Sequence, residues 1–232
     1  MPSSENLIFG IFWSVVTIGA YLVARTIYGR WHHWALSPLL VAPLVVLAFA
    51  LAAKVGYAPY IEGTHWLMLA LGPATVAFAL PIYEHRMMIR RHWPVLVIGV
   101  LVGSSIAMLS AWGLAAAFGL SDTLRLSLLP RSMSMPFALI VSGDIGGTPD
   151  LTAVFVVLTA VIGVAMGDVL LKWMPVRSSI ARGSLFGMGA HGAGVAKASE
   201  IGGEEGSIAG LVMILSGVTN VLAAPLLVLI LN

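Results

Sequence analysis

Pro130-Arg-Ser-Met-Ser-Met-Pro-Phe-Ala-Leu-Ile-Val-Ser-Gly-Asp-Ile145 is the stretch on which the fold turns. Most of it is apolar, but Pro130 and Pro136 each remove a backbone donor and break a helical ladder. Arg131, Ser132, Ser134 and Asp144 lie beside the breaks. Lipid cannot satisfy freed backbone groups, so the stretch must lie inside protein or line a wet cavity.

Two other segments are interrupted in the same manner. Trp66–Tyr83 contains Gly72-Pro73 and Pro81. Gly183–Ser199 holds Gly183, Gly187, Gly189, Gly192 and Gly194, with His191 and Lys197 among them. Glycine weakens a helix and allows close backbone approach. Around these lie five further apolar runs: Leu7–Arg25, Ala35–Ala53, Pro94–Phe118, Leu151–Trp173 and Ser207–Leu231. Connections are short, which predicts one transmembrane domain over residues 1–232.

Composition supports this reading. Of 232 residues, 59% are hydrophobic and 9% charged, against about 25% charged in a soluble domain. The excess apolar surface must face the lipid bilayer. The chain has no cysteine, which excludes thiol catalysis, disulfides and Cys-based metal sites. A net charge of +2 gives no basis for nucleic acid binding. The fold class expected is all-α, a polytopic transmembrane bundle with interrupted or re-entrant helices.

Charge placement sets the topology. Arg25 and Arg30, then Arg86, Arg90 and Arg91, then Lys172, Arg177 and Arg182 fall in three loops. The positive-inside rule puts all three on the cytoplasmic side. They agree only if one apolar segment does not cross. Making Pro130–Ile145 re-entrant predicts seven crossings, with the N-terminus outside and the C-terminus inside. A faint repeat aligns Gly72–Ala79 with His191–Ala198 and predicts halves 1–119 and 120–232, related by inversion.

Ionisable residues at membrane depth are costly and usually functional. His191 sits in the glycine-rich segment; its plainer alternative is a packing histidine satisfied by a carbonyl. Arg131, Ser132 and Ser134 at a half-helix start suit a carboxylate; alternatively the arginine snorkels and the serines pack. Lys197 is a second cation, with nearby Glu200 as its plainer partner. Thr75 offers a hydroxyl at the same depth; its plainer and commoner use is a bond back to its own helix. Asp168 and Lys172, four apart, read as a local ion pair. No phosphate loop, HExxH or nucleophile-elbow motif occurs, so no catalysis, metal or cofactor is expected.

Three stretches carry a family resemblance. They are Leu71-Gly-Pro-Ala-Thr-Val-Ala-Phe-Ala-Leu-Pro-Ile-Tyr83, then Leu129-Pro-Arg-Ser-Met-Ser-Met-Pro136 with Ile145-Gly-Gly147, then Ala181-Arg-Gly183, His191-Gly-Ala-Gly-Val-Ala-Lys-Ala198 and Glu205-Gly206. In order and spacing the chain resembles the LrgB/CidB family. The resemblance implies either an antiholin-like modulator of murein hydrolase export and cell lysis, or a carrier of small monocarboxylates such as pyruvate, glycolate or glycerate. It implies a membrane partner of the LrgA/CidA type, assembly as a homo-oligomer and a place in the bacterial inner membrane. By that resemblance the carboxylate anion falls to Arg131, Ser132, Ser134, His191, Lys197 and Thr75. Three family hydroxyls are missing, at Met135, Met188 and Ala190, and the usual arginine is Lys197. The pocket is therefore expected to be less polar than in the family at large.

Overall fold

The computed structural model describes residues 4–31, 34–70, 73, 76 and 79–231. Among these no strand occurs; all regular structure is helical. Among the described residues four helices have spans long and apolar enough to cross a membrane: Leu7–Trp31, Arg86–Ala117, Pro149–Trp173 and Gly203–Leu226. The protein is a multi-pass membrane protein. Its chain divides into two compact units, Met1–Ala77 and Phe78–Asn232.

In the first unit α1 (Ser4–Trp31) packs on α2 (Pro38–Ala52) and α3 (Tyr57–Leu69). Its centre is Trp13, fully buried and edge-on to Phe12, Phe49 and Tyr60. Gly10 and Gly63 let α1 and α3 touch backbone to backbone: a Cβ on Gly63 would sit 3.0 Å from the Gly10 Cα. Trp66 Nε1 donates to Ser14 Oγ (2.8 Å) across the same pair. Helix α3 starts well before Trp66, and Glu62, Thr64 and His65 are helical. The interruption expected near Gly72 and Thr75 lies outside the described residues.

The second unit opens with α4 (Ala79–Glu84) and α5 (Arg86–Ala117), the latter kinked at His92 just before Pro94. Next come α6 (Asp122–Leu128), a 3₁₀ turn at Leu129–Ser132 and α7 (Met135–Asp144). They form a hairpin. Thr152 Oγ1 donates to the Ser127 carbonyl (2.9 Å) and accepts from Ser142 Oγ (2.7 Å). Ser127 and Ser142 therefore stand level, and the chain between them goes in and comes back. Each arm rises ~15–18 Å, about half the ~30 Å hydrocarbon thickness. The expected re-entrant segment is present, and α6 is its unforeseen first arm.

The crossing helix α8 (Pro149–Trp173) follows, then α9 (Ser179–Ile201) and α10 (Gly203–Leu231). Helix α9 is broken at His191, whose φ of 38° and ψ of −122° are not helical. Its second arm folds back on its first: a Cβ on Gly194 would strike the Phe186 carbonyl. Gly183 and Gly187 meet Ile208 and Ala209, so the first arm runs parallel to α10. Ser199 and Val195 meet Gly206 and Gly210, so the second arm runs antiparallel to it.

Gly183–Ser199 is thus a second re-entrant hairpin, where a crossing was expected. The physical reason is that a single residue reverses the chain where glycine weakening alone predicted a bend. Charge still agrees. Helix α5 leads away from the side of Arg86, Arg90 and Arg91, α8 returns to it, and Lys172, Arg177 and Arg182 lie there. Helix α10 then carries residue 231 away from Lys172, Arg177 and Arg182, where the same side was expected.

Helices α5 and α10 run parallel: Leu96 and Val100 pack with Ile208, Leu211 and Val212, while Ser104 bonds Asn220 further along. The sequence offset that superimposes this pair therefore relates it without inversion. An inverted relation exists elsewhere in this unit. Residues 122–173 and 179–231 are each a re-entrant hairpin followed by a crossing helix, running in opposite directions.

Candidate functional site at the hairpin tips

The two hairpins insert from opposite sides and meet. The helix that carries His191 packs against the 3₁₀ turn that carries Arg131, and Arg131 Nη1 donates to Thr159 Oγ1 on α8 (3.4 Å). Thr159 lies ~15 Å along α8 from Pro149, near the helix midpoint. The meeting point is therefore close to the bilayer midplane.

Local sequence explains each tip. At the first, Pro130 fits the opening of a 3₁₀ turn, and Met133 and Ser134 are extended (ψ 161° and 149°). Helix α7 restarts at Met135, with Pro136 in its first turn, where a missing amide costs nothing. At the second tip, positive φ is reached by a histidine in a position glycine normally takes. Both second arms, α7 and residues 192–201, present helix N-termini to the tips. Such termini favour anions. The first arms bring carbonyl ends to the same depth.

Polarity at the tips is incomplete. Ser132, Ser134 and His191 are buried. Among the described residues Ser134 Oγ makes no capping bond and has no partner, and His191 Nε2 has none either. Arg131 is half-buried, and among the described residues no carboxylate lies within ion-pair distance of it. Arg131, Ser132 and Ser134 therefore stand at the first tip and His191 at the second. Thr75 lies outside the described residues. Lys197 stands apart, about 9 Å along the arm from His191, and its Nζ is 3.2 Å from Asp168 and 3.4 Å from Glu200. Asp168 thus faces Lys197 on the neighbouring arm, where a pair with Lys172 was expected.

Sequence reasoning missed the residues that hold the tips. Thr159 reads like any helix threonine. Ser127, Ser142, Thr148 and Thr152 pin the first hairpin to α8, with the Thr148 amide donating to Ser127 Oγ (2.8 Å). Gly163 and Gly167 on α8 admit the Gly189 carbonyl and the Phe186 ring of the second hairpin. Arg182 Nη1 approaches Glu205 Oε1 (3.9 Å) and ties that hairpin's base to α10. A third buried cluster joins α5 to α10: Asn220 Nδ2 donates to Ser104 Oγ (3.1 Å) and Ser216 Oγ (3.2 Å). Hydroxyls in apolar helices carry no mark of their partners in sequence; only the glycine spacing was a usable signal.

Comparison with known proteins agrees in family. The model of the LrgB-like family matches residues 17–230. The chain is 39% identical to the Bacillus subtilis protein YwbG, over 95% of this chain and 98% of that one. It is 32% identical to the antiholin-like protein LrgB of Bacillus subtilis, over 98% of each. It is 31% identical to the holin-like protein CidB of Staphylococcus epidermidis, over 93% and 94%. No solved structure matches significantly.

Proposed function

The chain belongs to the LrgB-like family, and on that premise we propose that it carries small monocarboxylates across the membrane. The observation that supports this most is Arg131. A guanidinium near the midplane with no counter-charge among the described residues is costly, and an anionic ligand removes that cost. The two half-helix N-termini add favourable dipoles. Hairpins inserted from opposite sides offer a route from each face, which alternating access requires. Lys197, held by Asp168 and Glu200, sits off the tips and would meet the anion on its way in.

A second reading follows from the relatives' names, holin-like and antiholin-like. In it the chain modulates murein hydrolase release and lysis, assembled with itself and with an LrgA/CidA-type partner. Those names favour it; the unpaired arginine favours transport. Vesicles reconstituted with the purified chain separate the two. Transport predicts saturable uptake of labelled lactate, glycolate or pyruvate without dye leakage. Arg131→Ala should cut uptake by roughly ten- to a hundredfold, the size of a lost charge-assisted hydrogen bond. Dye leakage without saturable uptake would favour the lysis reading, and uptake indifferent to Arg131→Ala would remove that residue from the mechanism.

A further inference from the structure

We infer that the groove between α5 and the first arm of α9 binds an anionic phospholipid of the cytoplasmic leaflet, with an acyl chain in the groove and the phosphate between Arg91 and Arg177.

The groove has a volume of about 410 Å³, within the range of ligand pockets. Val95 and Gly99 of α5 form one wall, Ala181, Leu185 and Met188 of α9 the other, and buried Val212 of α10 the floor. Every lining side chain but that of Ser184 is apolar. Ala181, Leu185 and Met188 share one face of the arm, so the groove runs along it for about 10 Å. Met188 closes the inner end: a Cβ on Gly103 would strike its side chain. The groove is therefore separate from the hairpin tips. Its long side is open. A Cβ on Gly99 or on Gly189 would meet nothing within 4 Å, and Val95 is 61% exposed. At this depth the surroundings are lipid rather than water. An apolar trough open to lipid takes a hydrocarbon chain, whereas a small anion would find one hydroxyl in it and no charge.

Charge decides which lipid. The outer end of the groove faces the side of Arg86, Arg90 and Arg91, which the positive-inside rule makes cytoplasmic. Arg91 precedes Val95 by about one turn, and Arg177 stands just before α9 begins. Ile89 and Ile180 pack against the same buried cluster as Val212, so both helices start at the mouth of the groove. Arg91 and Arg177 are exposed, and among the described residues neither has a carboxylate within ion-pair distance. Neighbouring Arg182 is different, because Glu205 already faces it. Trp93, 58% exposed, stands beside Arg91, a place that suits an aromatic ring at headgroup level. Basic sites between membrane helices on the cytoplasmic side suit anionic headgroups. A zwitterionic lipid brings its own ammonium to the two guanidiniums and gains less.

The purified full chain, stripped of lipid in detergent, should be titrated with phosphatidylglycerol, phosphatidylcholine and glycerol 3-phosphate, with bound molecules counted by native mass spectrometry. Phosphatidylglycerol should show one tight, saturable site, roughly tenfold or more tighter than phosphatidylcholine. Glycerol 3-phosphate, a headgroup without chains, should not bind measurably. Gly99→Leu fills the groove without striking protein and should abolish the tight site; Gly189→Leu fills it from the other wall and gives a second, independent test. Arg91→Gln combined with Arg177→Gln should keep a bound lipid and erase the preference between the two headgroups. Tight phosphatidylglycerol binding that survives in both glycine variants overturns the inference, as does equal binding of the two lipids by the native chain. Glycerol 3-phosphate binding as tightly as the lipid would make this a free-anion site instead. A native dimer that Gly99→Leu dissociates would show that a second copy of the chain fills the groove, and that too overturns it.

Discussion

The two re-entrant hairpins reach the same depth but are held by opposite means. The first, residues 122–144, turns through a proline-led 3₁₀ segment and two extended residues, all in comfortable conformations. Side-chain hydroxyls fasten it to α8. The second, residues 179–201, turns at one strained histidine and is fastened by backbone contact through glycines. Ion pairs close its base, Arg182 with Glu205 and Lys197 with Asp168. Hydroxyl pins can be exchanged one bond at a time. Glycine contacts cannot, because any side chain pushes whole helices apart. The comparison teaches that one architectural unit can be stabilised by directional bonds on one side of the membrane and by shape on the other.

Gly163→Leu attacks the shape-held hairpin and should have the largest effect. Its side chain would occupy the place of the Gly189 carbonyl. A loss of about 3 kcal/mol or more is expected, seen as failure to recover a monodisperse peak in detergent. A well-folded variant would mean that the second hairpin yields, and the contrast would collapse.

Thr152→Val attacks the bonded hairpin at constant shape. It removes the bonds to Ser127 and Ser142 and should cost about 1–2 kcal/mol, within the range of intramembrane hydrogen bonds. Thermal unfolding in detergent would report it. Coupling to Ser142→Ala in a double-mutant cycle should be clear; strict additivity would show that the pair is not one unit.

The smallest effect concerns the strained turn. In an ordinary helix glycine is less stable than alanine by roughly 0.5–1 kcal/mol. At position 191 the order should reverse, with His191→Gly more stable than His191→Ala by about 1 kcal/mol, because only alanine keeps the positive-φ strain. Alanine matching or exceeding glycine in unfolding temperature would place position 191 in ordinary helix.

Much of this was legible in the sequence. Composition identified the membrane, and Pro130 and Pro136 marked the first tip. Charge placement demanded a segment that does not cross. Arg131, Ser132, Ser134 and His191 stood out because ionisable or hydroxyl groups beside a helix break have few bland uses in lipid. The second hairpin was not legible, since a run of glycines allows both a close-packed straight helix and a reversal. What decides is the backbone angle at His191, which leaves no trace in hydropathy. Lys197 looked like a site residue because it is near His191 in sequence. An arm of half-helix length moves it well off the tip, where Asp168 from another helix can reach it.

Helix α8 lies between the hairpins in the chain as well as in space, and this bears on how the protein is made. The first hairpin leaves the ribosome before α8 does. Its arms are too short to span the bilayer, and its extended residues at Met133 and Ser134 have nothing in lipid to bond. Until Thr152 arrives, the hairpin must wait near the membrane surface. Helix α8 therefore acts as an internal docking template: the first hairpin seats after it from one side, and the second follows from the other.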